Sequence, residues 1–429
     1  MLTLASLMFI LLVILLLLGM PVAIVLGVVS VLFLIFSGQP LQMVPAKIYS
    51  EMNAFVLMAI PFFILAGEIM NKTGITDNII KFVNNIVGRF RGGLAQANIF
   101  TSILFAGITG AAVSDVSALG SVFIPAMEKQ GYTRSFSATL TAASSIIGPT
   151  IPPSIIIVMY AAVTQVSVGG LFAATIVPGL ILGISQSIYV MIISRYYDFP
   201  KFELKLSFKE FAVSFKDSIL ALITPFIILG GILGGVFTPT EAAAIAVLYA
   251  LILGVFIYRS MSLKDIFSVT HYTVRISAIL LFIIGVAGIL GWIIALIGLP
   301  LLMTEFFLSL TENTHIIFIL VMLLMIFVGT WLDNGPACII LAPILAPMMT
   351  SMGIHPLHFG TLMIISLNIG LITPPLGICL FAACAVGNVK FETIAIQIIP
   401  FLVLDFIVIM LLIFCPNLSL YLPKLLGFY

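Results

Sequence analysis

Charge is what this sequence has least of. Only 8% of its 429 residues are charged, against about 25% in an ordinary soluble domain, and 62% are hydrophobic. That balance excludes a soluble globular protein, a disordered chain and a nucleic-acid binder. Cysteine and histidine are also scarce, with four of each. Cys338, Cys379, Cys384 and Cys415 lie in apolar sequence without a Cys-x-x-Cys spacing, so they read as packed thiols rather than metal ligands or disulfides. His271, His315, His355 and His358 fall at loop or span-end positions, which argues against an intramembrane Ser–His protease. Neither His-Glu-x-x-His nor Gly-x-Ser-x-Gly occurs. Gly-x-x-x-x-Gly-Lys-Ser/Thr is missing too, so ATP is not the energy source of this chain alone. These absences point away from an enzyme. The first apolar run has no basic leader and no small-residue cleavage site, and it reads as a retained span.

What is present is apolar sequence from end to end, in runs near or above the ~18 residues needed to cross a bilayer core of about 30 Å. Backbone groups in lipid must be satisfied internally, so these runs are helices or broken helices. The expected fold is an all-α polytopic membrane protein in contact with the lipid bilayer over most of its surface. The basic residues set its orientation. Lys72, Lys81, Arg89 and Arg91 share one loop, and Lys129 and Arg134 the next. Arg195, Lys201, Lys205, Lys209 and Lys216 fill a third. Arg259, Lys264 and Arg275 mark a fourth, and Lys390 a fifth. Placing all five inside leaves only Lys47 and Lys424 of the 17 basic residues outside.

That assignment makes 95–126 a hairpin that starts and ends inside, and 315–350 one that starts and ends outside. Each is followed by an interrupted span, 135–165 and 357–387. The interruptions match: Gly148-Pro149-Thr150-Ile151-Pro152-Pro153 and Gly370-Leu371-Ile372-Thr373-Pro374-Pro375 both read Gly-x-x-x-Pro-Pro. Ser144 and Ser366 precede the two glycines at the same distance. Each hairpin carries a polar tip, Gly107 to Asp115 and Gly329 to Pro336. Inverted repeats with discontinuous helices at matching places mark secondary transporters, with the site at the repeat interface. By the same symmetry the N-terminal run splits at Gly19-Met20-Pro21, mirroring a pair joined at Thr238-Pro239-Thr240, and both termini lie outside. A single tilted span over 2–36 is the competing reading.

The organisation expected is then N-terminal scaffold helices over 1–70 and an amphipathic interfacial helix within 71–94. A first repeat covers 95–195. A basic cytoplasmic loop and further scaffold helices cover 196–300, a second repeat 301–415, and a C-terminal tail 416–429.

Proline removes a helix donor and clashes with the preceding turn, which frees carbonyls at mid-membrane. A desolvated cation, a buried hydroxyl or water can bind them. Ser144, Ser145, Thr150, Ser366 and Thr373 supply hydroxyls nearby. Asp115 and Asp333 follow at the hairpin tips. A carboxylate in a span costs about 2.5–3.5 kcal/mol even on lenient scales, so it marks a cavity, an ion or a partner. The alternative for each is an N-cap on the second arm of its hairpin. Glu241 reads as part of a cap with Thr238 or Thr240, Glu68 as interfacial, and Arg275 as the snorkelling start of a span. Asp405 has no visible partner.

At three places the chain resembles the large membrane subunit of tripartite ATP-independent periplasmic (TRAP) transporters, the DctM-like family. These are Ala59 to Met70, Val236 to Ala244, and Ile369 to Gly377. The resemblance covers essentially the whole chain. It implies an inverted-repeat, elevator-type transporter driven by sodium ions, with no other cofactor. The implied cargo is an organic acid such as sialic acid or a C4-dicarboxylate. It implies two partners, a small four-helix membrane subunit on a separate chain and a periplasmic substrate-binding protein, and a place in the bacterial inner membrane. Carried over residue by residue, one sodium site takes Thr109, Gly110, Ser145, Gly148 and Ile151. The other takes Gly329, Thr330, Asp333, Gly370, Thr373 and Pro374. Family members often have serine where this chain has Thr109 and Ala111, and Ala111 could offer only its carbonyl. Substrate is expected between the tips, near Asp115, Ser154, Asn334 and Asn368. Proton coupling through Asp115 and Asp333, and a channel or scaffold subunit, are the rival readings.

Overall fold

The computed structural model describes residues 2–87, 91–196, 199 and 208–429, with the backbone alone at 2, 3, 5, 75–78, 81, 107–109, 208–217 and 221. Arg89, Lys201 and Lys205 lie outside the described residues, as do the side chains of Lys81, Thr109, Lys209 and Lys216. The described residues are helical throughout and form no strand. Among the described residues six helices are long and apolar enough to cross a membrane, or seven if one bent pair counts as a span. The rest of the apolar sequence lies in shorter pieces, because the chain interrupts itself.

The N-terminal run divides into α1 (Leu2–Leu17) and α2 (Val22–Phe36). Gly19 turns between them at φ +78°, a conformation other residues rarely adopt. Next come α3 (Met43–Met52), a 3₁₀ turn over Phe55–Met58, α4 (Ala59–Lys72) and α5 (Ile75–Val87). Ile79, Ile80, Phe82, Val83 and Val87 of α5 are buried, while Ile86 is exposed. Its neighbours are α6 (Gly93–Thr109) and α11 (Phe208–Leu233), so the expected interfacial helix covers its apolar face with protein rather than lipid alone.

The first hairpin is α6 and α7 (Ala112–Lys129). The first interrupted span is α8 (Arg134–Ser145) and α9 (Ile155–Thr164), followed by α10 (Val168–Tyr196). After α11 come α12 (Pro239–Ile252), which ends in a π turn, then α13 (Leu263–Leu296) and α14 (Leu299–Leu310). The second hairpin is α15 (Thr314–Trp331) and α16 (Asn334–Ser351). The second interrupted span is α17 (Pro356–Gly370) and α18 (Ile378–Gly387). The chain closes with α19 (Phe391–Gln397), α20 (Ile399–Phe414), bent from α19 by 43°, and α21 (Asn417–Leu425). The series from α4 to α10 and the series from α13 to α20 share one order: scaffold helix, short helix, hairpin, interrupted span. The second arm of each hairpin packs against the far half of the other repeat's interrupted span, α7 on α18 and α16 on α9. The repeats are therefore interlocked.

Several expectations need correction. The helix that carries the span expected from about 276 starts earlier, at Leu263, because Ser262 and Asp265 form a reciprocal cap there. Arg275 is an exposed residue within α13. Nothing in the hydrophobic pattern announced α3, whose residues are all at least partly exposed. The stretch read as a C-terminal tail forms α21, which packs on α10 and α17. There Ser419 Oγ lies 2.6 Å from Nδ1 of His358, which stands in the first turn of α17, as expected, and is buried. Cys338 and Cys379 are buried thiols as expected, but Cys415 is exposed. Thr238 and Glu241 do form the expected cap on α12.

Glycine sets the closest approach. A Cβ on Gly370 would lie 2.6 Å from the backbone of Gly329 and 2.7 Å from the Ile326 carbonyl, so α15 and α17 touch main chain to main chain. Gly370→Ala is expected to lower thermal stability by about 1–3 kcal/mol, since added volume has nowhere to go. Gly230→Ala in α11, where a Cβ meets nothing within 4 Å, is the matched control and should leave the melting temperature unchanged or raised.

Candidate functional site

The two Gly-x-x-x-Pro-Pro sequences open α8–α9 and α17–α18, with cis Pro152–Pro153 and cis Pro374–Pro375 at equivalent places. Each hairpin tip rests on the break of its own repeat. In the first, Gly110 turns at φ +60°, and a Cβ there would lie 3.3 Å from the Pro153 carbonyl and 3.4 Å from Ser154 Cα. The Asp115 carboxylate lies directly against Gly148, where a side chain would collide with it. In the second, the Gly377 amide donates to the Thr330 carbonyl at 3.3 Å, and Gly329 abuts Gly370. The structure therefore brings Gly110, Asp115, Gly148 and Ser154 together, and separately Gly329, Thr330 and Gly370.

The two groups are joined by one asparagine. Asn368 Nδ2 donates to Thr150 Oγ1 at 3.1 Å, and Asn368 Oδ1 accepts from Asn334 Nδ2 at 2.7 Å. Asn368 is wholly buried, so its amide is taken up by this bridge from the second tip to the first break. Cys379, at the start of α18, lies beside Ser145 and within electrostatic reach of both Asp115 and Asp333. The motifs gave no hint of that placement, since a cysteine in apolar sequence ordinarily reads as core.

The aspartates differ. Asp333 is the N-cap of α16 and accepts from the Asn334 amide at 2.9 Å. It is exposed at the tip. Asp115 is wholly buried and does not cap α7; that position belongs to Ala111, and the Asp115 amide donates to the Ala111 carbonyl at 3.2 Å. The capping alternative thus holds for Asp333 and fails for Asp115. Access differs in the same way. Residues 141 to 154 are buried throughout, while Thr373 and Pro374 are partly exposed.

The donor chemistry suits a hard cation. Ser145 Oγ donates to the Ala142 carbonyl at 2.7 Å, Ser154 Oγ to Pro149 at 2.6 Å, Thr330 Oγ1 to Phe327 at 2.7 Å and Thr373 Oγ1 to Ile369 at 2.7 Å. Each hydroxyl places its proton on a backbone carbonyl and leaves oxygen lone pairs for another partner. Alkali and alkaline-earth ions take such oxygen donors. No group of three His, Cys, Asp or Glu that could hold a metal ion occurs among the described residues, which is not the donor set of a zinc or copper centre. Ile151 could contribute only its carbonyl.

Polar residues that the motifs did not mark stiffen the first repeat. Asn98 Nδ2 donates to Thr141 Oγ1 at 2.8 Å and Ser144 Oγ to Asn98 Oδ1 at 3.1 Å, tying α6 to α8. Gln96 and Ser187 tie α6 to α10. The available signal was polar residues at helical spacing in an apolar arm. A cavity of about 800 Å³ lies between the scaffold helices α3 and α13 and the repeat helices α9 and α16. It contains none of the expected site residues.

Interlocked inverted repeats with paired helix breaks define a membrane transporter. The fold is similar to the crystal structure of the YdaH transporter of Alcanivorax borkumensis, with a TM-score of 0.61 at 14% identity over 90% of this chain and 89% of that one. The sequence matches the family described as "Tripartite ATP-independent periplasmic transporter, DctM component" over residues 9–418. It is 38% identical over 411 residues to the sialic acid TRAP transporter large permease protein SiaM of Vibrio cholerae, covering 95% of each chain. It is 34% identical over 438 residues to the C4-dicarboxylate TRAP transporter large permease protein DctM of Rhodobacter capsulatus, covering 99% of each. The chain belongs to the DctM-component family of TRAP transporters and is a multi-pass membrane protein.

The Asn368 bridge is testable by a double-mutant cycle. Asn368→Ala and Thr150→Val should each lower thermal stability by about 1–3 kcal/mol through an unsatisfied buried group. The double variant should cost clearly less than the sum of the two.

Proposed function

We propose that this chain is the transport subunit of a sodium-coupled secondary importer of organic acids that a periplasmic binding protein delivers, in the inner membrane and with both termini outside. The observation that carries the reading is the seating of each hairpin tip on its own helix break, with oxygen donors converging at both. Sodium ions at the two seats offset the charge of the anionic cargo in a medium of low dielectric constant. Asp115 and Asp333 supply one carboxylate to each region, and the hydroxyls of Ser145, Thr330 and Thr373 turn lone pairs toward the ion. The cargo lies between the tips, near Asn334 and Ser154, with Asn368 holding the two halves in register. Sialic acid and C4-dicarboxylates head the candidates, because relatives of this chain are named for those substrates, and one more is named for isethionate.

The body containing both hairpins moves past α2, α4, α12 and α13, in the elevator manner. The cavity between α3–α13 and α9–α16 supports this reading, since it leaves the two bodies incompletely packed against each other. A small membrane subunit braces the scaffold. The inward sodium gradient and the membrane potential supply the work, about 2.3 kcal/mol per charge per 100 mV.

The test is uptake of labelled sialic acid and of a labelled C4-dicarboxylate into proteoliposomes holding the chain with its small subunit and binding protein. Accumulation should require an inward sodium gradient at fixed pH. Thr373→Ala should raise the sodium concentration for half-maximal uptake about tenfold, the equivalent of roughly 1.4 kcal/mol of ion affinity. Asp333→Ala should abolish accumulation in protein that still melts cooperatively. Uptake indifferent to sodium and driven by a pH gradient would refute sodium coupling and assign the work to protons.

A further inference from the structure

Asp405 sits in the middle of α20, away from both hairpin tips, and is wholly buried. Its neighbour across the helix interface is Gln186 of α10, which is also wholly buried. Gln186 Nε2 donates to Asp405 Oδ1 at 3.2 Å and to the Ala143 carbonyl at 3.1 Å. The amide thus links α20 through α10 to α8, just before the first break. Two atoms of this pair find no hydrogen-bond partner among the described residues, Asp405 Oδ2 and Gln186 Oε1. Both are oxygens, and an ionised carboxylate has no hydrogen to offer the amide oxygen.

The one cation on the surrounding helices, Arg195, is exposed in the last turn of α10, nine residues beyond Gln186, and forms no ion pair with Asp405 among the described residues. The elements packed against α20 are α10, α15, α17 and α19. Their titratable groups are Tyr189, Arg195 and Tyr196 on α10, His315 on α15, His358 on α17 and Glu392 on α19. Tyr189 packs edge-on against Phe401, one turn before Asp405. His315 packs on Phe414, and His358 pairs with Ser419. No ion pair among the described residues includes Asp405. An isolated charge so placed is among the costliest groups a protein interior can hold.

One proton resolves both deficits. Placed on Oδ2, it removes the charge and gives Asp405 a hydroxyl that can donate to Gln186 Oε1, while Oδ1 keeps the bond from Nε2. The carboxylic acid and the amide then form a closed two-bond pair. We propose that Asp405 is a proton-binding site within the hairpin-bearing body, occupied at neutral pH and donating its proton to Gln186. The proposal does not depend on the sodium sites, because it concerns a different pair of helices.

Infrared spectroscopy of the purified full chain in lipid nanodiscs provides the test. The wild-type minus Asp405→Asn difference at pH 7 should contain the C=O stretch of a protonated carboxylic acid, and that band should shift in deuterated buffer. Thermal unfolding provides the second readout. Asparagine reproduces the acid form, with a donor group and an acceptor at the same places, so Asp405→Asn should melt close to the wild type and keep its uptake activity. Asp405→Ala, which leaves Gln186 Oε1 without a donor and Nε2 with only the Ala143 carbonyl, should melt several degrees lower. A difference spectrum showing only a carboxylate band would overturn the proposal. So would an Asp405→Asn variant as unstable as Asp405→Ala, since a needed negative charge would then have been removed. Loss of sodium dependence in a stable Asp405→Asn protein would also overturn it, by making Asp405 a cation ligand.

Discussion

Every interruption of a helix inside an apolar bundle strips carbonyls and amides of their partners, and lipid cannot replace them. The rest of this structure depends on that constraint. The chain interrupts itself at both hairpin tips and at both proline pairs, and it brings each tip to a break so that the exposed groups meet one another. Serine and threonine hydroxyls take up several of the freed carbonyls, as Ser154 does for Pro149 and Thr373 for Ile369. What is left over is a set of oxygen atoms in a dry place. Such a set is useful only to something that brings positive charge or hydrogen-bond donors of its own.

The same constraint explains the interlocking. A hairpin tip cannot sit in lipid, so it must be held by protein from several sides. The second arm of each hairpin leans on the far half of the opposite repeat, and small residues let it come near. A Cβ on Gly335 would lie 3.2 Å from Met159, and one on Gly120 3.3 Å from Val386. Arg134 closes the same seam, donating from Nε to the Gly387 carbonyl at 2.5 Å. Asn368 completes it with an amide that bonds in both directions. Two halves built in this way are held to each other by main-chain and side-chain contacts along their whole seam.

The repeats are not copies in their chemistry. Asp333 is an exposed cap at its tip, whereas Asp115 is buried against Gly148, and the cap position of its helix belongs to Ala111. Buried polar residues tie α6, α8 and α10 around the first break, while the second break faces a more open space. One seat is thereby rigid and closed and the other accessible, although the proline pairs that create them are equivalent.

The sequence by itself determined the helical membrane architecture, the paired breaks and the polarity of the tips, because each follows from local rules. Apolar runs must be helical in lipid, proline must interrupt them, and Gly19 and Gly110 must turn where the chain reverses. The cap at Thr238 and Glu241 was legible for the same reason, since its partners lie three residues apart. Contacts between distant segments were decided only by the tertiary structure. The bond from Asn368 to Thr150, the placement of Cys379 beside Ser145, and the pairing of Asp405 with Gln186 join positions that no short-range pattern connects. The docking of α21 and the burial of His358 belong with them. Hydropathy reports how apolar a segment is, whereas those features depend on which faces of other helices cover it.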